Sequence, residues 1–553
     1  MSALFCRLRW RFEYLRQTGK KNNFEFGLSM AFASGQDCEA YNVHADHVAF
    51  VQTRGIPEVT DFWRSTMNLM FRCNRGVRRV TRSTRRSAAR VVLAMGLLAG
   101  LAFTGEQAGA AEDTKPNVII IFTDDQGYED LGVFGATAIK TPNIDKMAQA
   151  GMRFTDFYSA SPVCTPSRAA LLTGCYPKRV GNLNVLFPRD VIGLNPAETT
   201  IAGMLKRVGY ATACIGKWHL GHLKAFLPTN HGFDTYFGIP YSNDMTIAQD
   251  MALSSALVLR EGVTQQTLWQ AKKNLVPLMR NEEVVEYPAD QSTLTQRYTE
   301  EAIAFIKRNR EKPFFLYLPH TMPHIPLYAS PEFEGKSDAG LYGDCIEEID
   351  WSVGQIMAAL REHDLDKNTL IIYTSDNGPW NLKGNKTAKV KGNKNRRVGG
   401  SAYPLRGYKF STWEGGMREP TVMWWPGRIP AGKVCEEIAS TIDLLPTIAA
   451  LAGAPLPERK IDGKSIVALL EGKPGAASPH AAYFYRTESV RVGKWKLGKK
   501  QALFDLSSDV SEQKNVASEH PEIVARLKTL LQDHREELNK NKRPPGRITP
   551  SGD

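Results

Sequence analysis

Residues 117–125 read Asn117-Val118-Ile119-Ile120-Ile121-Phe122-Thr123-Asp124-Asp125, an unbroken apolar run that ends in two carboxylates. A half-exposed strand would alternate apolar and polar residues. A short continuous run instead predicts a strand over Asn117–Phe122 that is buried on both faces. The pattern recurs along the chain. Strand-like Tyr210–Ile215 is followed by Lys217 and His219, Pro313–Leu318 (PFFLYL) by His324, and Leu370–Thr374 (LIIYT) by Asp376-Asn377. Helix-like segments lie between them: Pro142–Ala150, stopped by Gly151, and Thr199–Val208. This alternation predicts an α/β fold, a mainly parallel sheet sandwiched by helices. Open parallel sheets bind ligands beyond the carboxyl ends of their strands. Four separate segments therefore deliver polar residues to one edge.

Those residues have a coherent chemistry. Asp124, Asp125, Asp376 and Asn377 offer three carboxylates and an amide oxygen, a hard-oxygen set suited to Ca²⁺ or Mg²⁺ and not to zinc. Either pair alone also fits turn formation or loop capping. A second stretch runs Cys164-Thr165-Pro166-Ser167-Arg168-Ala169-Ala170-Leu171-Leu172-Thr173-Gly174. A cysteine just ahead of a proline and an apolar run predicts a helix N-terminus, where backbone N–H groups favour an anion. Arg168 follows one turn later, placed to support negative charge. The plain alternative for Cys164 is a buried thiol or half of a disulfide.

The Cys164–Gly174 stretch resembles the signature of the type I, formylglycine-dependent sulfatases, C-x-P-S-R followed by x-x-x-L-T-G. The resemblance implies an alkaline-phosphatase-like fold. It also implies that a maturation enzyme converts Cys164 to formylglycine, whose hydrate attacks sulfur through one oxygen and expels sulfate through the other. Asp124-Asp125-Gln126-Gly127 and Ser375-Asp376-Asn377-Gly378 match the family's metal motifs, which usually bind Ca²⁺, with residue 164 completing the site. Gly216-Lys217-Trp218-His219-Leu220-Gly221 resembles its G-K-W-H-L-G, implying that Lys217 binds sulfate and His219 acts as base on the diol. Pro323-His324-Ile325-Pro326 resembles P-H-x-P, with His324 as acid towards the leaving oxygen; His320 is off the matching position. Lys409, before Glu414-Gly415-Gly416-x-Arg418, matches the second sulfate-binding lysine. Phe226-Leu227-Pro228, Gly232-Phe233-Asp234 and Gly238-Ile239-Pro240-Tyr241-Ser242-Asn243-Asp244 resemble the arylsulfatase A and N-acetylgalactosamine-6-sulfatase branch. There Ser242 corresponds to a serine near the sulfate, and Asn243 and Asp244 are candidates to face the substrate. The resemblance runs from about Lys115 to about Glu537.

Charge and cysteines bound the remaining choices. The net charge of +12 is concentrated upstream, since residues 1–110 carry 16 Lys/Arg against 8 Asp/Glu. The basic balance is therefore weak support for a nucleic-acid partner, and no nucleic-acid motif accompanies it. Eight arginines from Arg72 to Arg90, the 13-residue apolar run Val91–Phe103 and Ala108-Gly109-Ala110 form the pattern of a cleavable export signal. The run is short for a membrane span of about 20 residues. The expectation is export to the periplasm or beyond, without a stable membrane span. Met67 or Met70 would give a signal of ordinary proportions, so residues 1–110 are read as an upstream extension plus a signal at about 70–110. Cys175, Cys214, Cys345 and Cys435 are widely spaced and form neither a disulfide framework nor a zinc pattern.

The expected organisation continues with a catalytic domain over 112–450, a smaller α+β domain over 451–540 and a loose tail over 541–553. In the smaller domain Ala482–Tyr485, Ser489–Leu497 and Ala502–Leu506 read as antiparallel strands and Pro521–Glu536 as a helix. Trp380–Pro404 carries seven Lys/Arg and no acid, either a solvated loop or a site for an anionic polymer. The expected substrate is a sulfated small molecule or glycan. A phosphomonoester or phosphonate hydrolase of the same fold, and a non-catalytic binder of sulfated glycans, are the competing readings.

Overall fold

The computed structural model describes residues 115–181, 184–270, 272–380 and 399–548, together with one strand pair, Arg11–Phe12 with Leu28–Ser29. The export signal and most of the basic segment after Trp380 lie outside the described residues. Residues 115–548 belong to one compact unit, Gly109–Asp553.

Its centre is built from the apolar runs. Strands β1 (Asn117–Thr123), β3 (Ala211–Ile215), β8 (Phe314–Pro319) and β9 (Thr369–Ser375) are buried at every position. The other strands of the main sheet are β2 (Met152–Phe154), β4 (Thr235–Gly238), β5 (Ala252–Leu259), β6 (Leu278–Arg280), β7 (Glu283–Tyr287), β10 (Thr421–Trp424) and β11 (Lys433–Cys435). The eleven strands run in the order β11-β2-β10-β9-β1-β8-β3-β4-β6-β7-β5. From β9 to β4 every pairing is parallel, while β10 and β6 turn antiparallel on either side. The parallel middle is therefore the continuous apolar part, and the mixed flanks carry the weaker patterns.

Helices pack in two groups. One is α1 (Pro142–Gln149), α4 (Leu294–Arg308) and α5 (Leu341–Glu362); the other is α2 (Cys164–Thr173), α3 (Ile201–Lys206) and α6 (Leu444–Ala452). The carboxylate of Asp350 on α5 accepts the backbone N–H groups of Asn143 and Ile144 at the start of α1. It thereby satisfies donors that a helix start leaves open.

The C-terminal part is a four-stranded antiparallel sheet, β12 (Tyr483–Tyr485), β13 (Ser489–Val492), β14 (Trp495–Leu497) and β15 (Leu503–Asp505), with helix α7 (Pro521–Asn541) against it. The single strand expected over Ser489–Leu497 is two strands. The chain turns at Gly493, where φ is +53°, a conformation glycine adopts without a side-chain penalty. The tail also departs from expectation at its start. Gly546–Arg547 pairs with Ile192–Gly193, and Arg543 binds Glu198 at 2.7 Å. Glu198 is buried, so its carboxylate needs that guanidinium.

Candidate active site

Register decides what meets at the sheet edge. Ser375 pairs with Thr123 and Pro319 with Phe122, so Asp376 and Asp124 leave neighbouring strands at the same level. Asp125 turns into the left-handed region, φ +65°, and its N–H donates to Asp376 Oδ1 at 3.2 Å. After β3 the chain passes against β8 so closely that a Cβ at Gly216 would lie 1.9 Å from the Pro319 carbonyl oxygen. Only glycine fits, and the next residue, Lys217, is pinned by its N–H to that same oxygen at 2.7 Å. Cys164 opens α2 directly after Val163, an extended residue that offers no side-chain cap.

The side chains form a buried charge cluster. Lys217 Nζ pairs with Asp124 Oδ2 and lies 3.3 Å from Ser242 Oγ. Lys409 Nζ sits 2.7 Å from Asp125 Oδ1. Arg168 donates to Asp376 Oδ2 at 2.8 Å and to the Lys217 carbonyl at 3.0 Å, and approaches Asp124 Oδ2 at 3.3 Å. All of these residues are buried. Burial pushes the Asp124 carboxyl up, but Lys217, His324 and Arg168 outweigh it and hold the group below the ordinary range. Burial and the neighbouring Asp124 push Asp376 up to about 7. Burial also raises the Cys164 thiol above its ordinary value despite Lys217 and Lys409.

The donor set fits a hard cation. Asp124 Oδ1 and Asn377 Oδ1 are buried acceptors that receive no hydrogen bond. Such oxygens are satisfied by a cation as well as by a donor. Asn377 Nδ2 donates to Asp125 Oδ1 at 2.7 Å, which turns its own Oδ1 away from that bond. Asp124, Asp125 and His324 also offer ligand atoms that all lie within 4.8 Å of one another. His324 thus stands closer to the carboxylates than its expected role towards the leaving group required.

The two histidines differ in how they are held. His219 Nε2 lies 2.9 Å from the Leu186 carbonyl, which only accepts, so the proton sits on Nε2. Nδ1 is left as a buried lone pair without a partner. Burial and Lys217 keep this ring neutral well below its ordinary pKa. His324 Nδ1 lies 3.0 Å from Asn243 Oδ1 and 2.6 Å from the Ile325 carbonyl, so Nδ1 carries the proton and Nε2 faces Asp125 at 3.7 Å. Burial, Lys409 and Lys217 depress its pKa as well.

The catalytic, sulfate-binding and metal candidates of the sequence are all in or beside this cluster: Cys164, Arg168, Lys217, His219, Ser242, His324, Lys409 and the four oxygen donors. Ser242 Oγ lies 3.4 Å from the His324 ring. His320, set aside in the sequence, is buried and away from these contacts, against the ring of Tyr298. Asn243, expected to face substrate, instead locks His324 and is itself fixed by Gln291 Oε1 and the Pro326 carbonyl, both at 3.0 Å. Gln291 and Trp380 carried no sequence signal. Trp380 lies edge-on to the His324 ring, 5.5 Å between centroids. Cys175, Cys214, Cys345 and Cys435 are buried and free.

Comparison with known proteins sets this geometry among relatives. The family model described as Sulfatase matches residues 116–454, and one described as N-sulphoglucosamine sulphohydrolase, C-terminal, matches 408–537. Human arylsulfatase A is 37% identical over 467 residues, covering 76% of this chain and 88% of its own. N-acetylgalactosamine-6-sulfatase of Canis lupus familiaris is 38% identical over 418 residues, covering 70% and 72%. The crystal structure of Ps i-CgsB in complex with k-i-k-neocarrahexaose superposes with a TM-score of 0.64 at 30% identity, covering 78% of this chain and 94% of that one. The expected alkaline-phosphatase-like α/β architecture is the one observed.

Proposed function

The chain belongs to the sulfatase family, and from that premise we propose that it hydrolyses a sulfate ester carried on a carbohydrate. Residue 164 is the formylglycine position, and Asp124, Asp125, Asp376 and Asn377 hold Ca²⁺, with Mg²⁺ the alternative. The observation that carries the reading is the state of Cys164. It is buried at the start of α2 under the charges of Lys217, Lys409, Asp124 and Asp376, beside a cluster of three carboxylates and three cations suited to anion chemistry. When present, the hydrated aldehyde supplies the attacking oxygen and the divalent ion offsets the carboxylates.

The chain's own residues do the rest. Lys217 and Lys409 bind the sulfate oxygens, with Ser242 beside Lys217. His219, neutral with Nδ1 free, accepts a proton from the hydroxyl at residue 164. His324 protonates the leaving oxygen. Burial and the repulsion of the two lysines keep it neutral at rest. A sulfate anion set between them offsets that repulsion, so the ring gains its proton together with substrate. Arg168 holds Asp376 and Asp124 in position.

The carbohydrate reading is supported by what relatives are named for: N-acetylgalactosamine-6-sulfate chemistry in one, a neocarrahexaose complex in another. Export rests on the Arg72–Ala110 pattern, and no helix of the described residues is long and apolar enough to cross a membrane. A formylglycine-generating enzyme is the required partner. The 112–450 and 451–540 division is kept as a proposal on sequence character. The test compares sulfate release from sulfated sugars with phosphate release from matched phosphate esters, before and after chelation. Sulfate release restored by Ca²⁺ is expected. Faster phosphate release would overturn the reading.

A further inference from the structure

Phe410 stands in a conformation and a place that packing does not explain. Its backbone is left-handed, φ +72°, which disfavours any residue with a Cβ. Its side chain gains little in return, being 58% exposed. The strained turn is nevertheless fixed at the reaction centre. The Phe410 N–H donates to the Pro162 carbonyl at 2.9 Å, two residues before Cys164, and Lys409 N–H donates to the Pro379 carbonyl at 3.0 Å. The Phe410 ring meets Trp380 at 83° with centroids 5.7 Å apart. Lys409 Nζ lies 4.5 Å from the Trp380 centroid and 5.5 Å from that of Phe410. On another side Phe410 borders a cavity of about 90 Å³ that it shares with Trp413, Ser489 and Lys499.

We propose that Phe410 and Trp380 form a right-angled aromatic corner against which the ring bearing the sulfate ester packs, and that this ring is a pyranose. The inference rests on the sulfatase reading and specifies its substrate class. Lys409 joins the two functions: its ammonium binds sulfate while both rings flank it. The corner selects for shape. A chair presents polarised C–H groups on its faces and around its rim, so it can cover both electron-rich ring faces at once, whereas a thin aryl ring covers less of the two walls. A strained backbone that displays an apolar side chain towards solvent is accounted for by a ligand that covers it.

The test uses matured full-length protein with Phe410→Gly, Phe410→Leu and Phe410→Trp, assayed on galactose 6-sulfate and 4-nitrophenyl sulfate. Phe410→Gly is expected to lower kcat/KM on the sugar roughly tenfold or more, the scale of lost apolar contacts in a specificity pocket, chiefly through KM. It should cost the aryl sulfate less than threefold, and its Tm should rise as the strain is relieved. Phe410→Leu should behave like glycine on the sugar, and Phe410→Trp should restore the wild-type preference. Equal losses on both substrates in Phe410→Gly, or full sugar activity in Phe410→Leu, would overturn the aromatic corner while leaving the sulfatase reading intact. Failure of wild-type protein to release sulfate from either compound would remove that reading, and this inference with it.

Discussion

Two of the buried charge clusters among the described residues, the one at the sheet edge and one in the C-terminal part, are finished differently. The second surrounds Glu414, where the C-terminal sheet meets the residues after β9. Glu414 Oε1 receives Tyr485 at 2.5 Å and Lys496 at 2.9 Å; Oε2 receives Tyr158 at 2.7 Å and Arg418 at 3.3 Å. Asp156 takes Arg418 at 2.7 Å and Arg491 at 2.6 Å, and Lys496 also pairs with Glu512 at 2.8 Å. Burial raises the Glu414 carboxyl, but Lys496, Arg418 and Arg491 overcome it and hold the group well below the ordinary range. Burial pushes Asp376 and Glu512 alike up to about 7; the clusters differ in that Glu512 Oε1 has Lys496 at 2.8 Å, whereas at the sheet edge Asp124 Oδ1 and Asn377 Oδ1 go without donors. The difference separates structure from function. A closed network holds two parts together, whereas an open one is completed by something that is not protein.

The largest expected effect is at His219, the proposed base of the open cluster. His219→Ala should lower kcat by about 10²–10⁴, the usual range for a positioned proton acceptor, with Tm nearly unchanged. A loss below tenfold in steady-state turnover would place the base elsewhere. Glu414→Ala should do the reverse. Removing one partner from a buried ion network costs about 3–5 kcal/mol, read as a lowered denaturant midpoint. A variant as stable as wild type would mean that the cluster is not what ties the C-terminal sheet down.

Chelation sharpens the contrast, because it should act on one cluster only. It should abolish activity and lower Tm through repulsion among Asp124, Asp125 and Asp376, with Ca²⁺ restoring both. The Tm deficit of Glu414→Ala should be the same with and without chelator. A chelator-insensitive wild type would contradict the cation reading.

The smallest effect concerns a buried carboxylate outside both clusters. Glu348 accepts the Ser330 N–H at 3.0 Å, and burial raises it to about 7 from an ordinary 4.5. A raised acid binds its proton more tightly in the folded state, so stability is lost as pH climbs from about 4.5 through about 7. At most about 3 kcal/mol is involved. Wild type should therefore lose more Tm than Glu348→Gln between pH 5 and pH 8. Parallel curves for the two would show that Glu348 does not titrate in that window.

The legible parts of the molecule were those governed by one strong physical constraint. Parallel strands buried on both faces must be continuously apolar, so β1, β3, β8 and β9 could be read directly, together with the polar residues that follow them. The flanking strands β4, β5, β6 and β7 were missed, because β5 is partly exposed and the others are short. The Gly493 turn was hidden because polar and apolar residues alternate on both sides of it, as in one continuous strand over Ser489–Leu497. The docking of Arg543 was illegible because its partner Glu198 lies 345 residues away. The same distance problem hid the second tier of the site. Asn243 was legible only as a residue facing substrate, and Gln291, which fixes Asn243, not at all, because no local pattern marks a residue whose role is to fix another's tautomer.

Residue 164 is proposed to act as an aldehyde within an open charge cluster, and mass spectrometry of its peptide reads its chemical state. In active protein produced with the maturation enzyme, the peptide containing residue 164 should be lighter by the difference between CH₂SH and CHO. Its modified fraction should rise in proportion to specific activity. A plain Cys164 thiol in fully active protein would contradict the account.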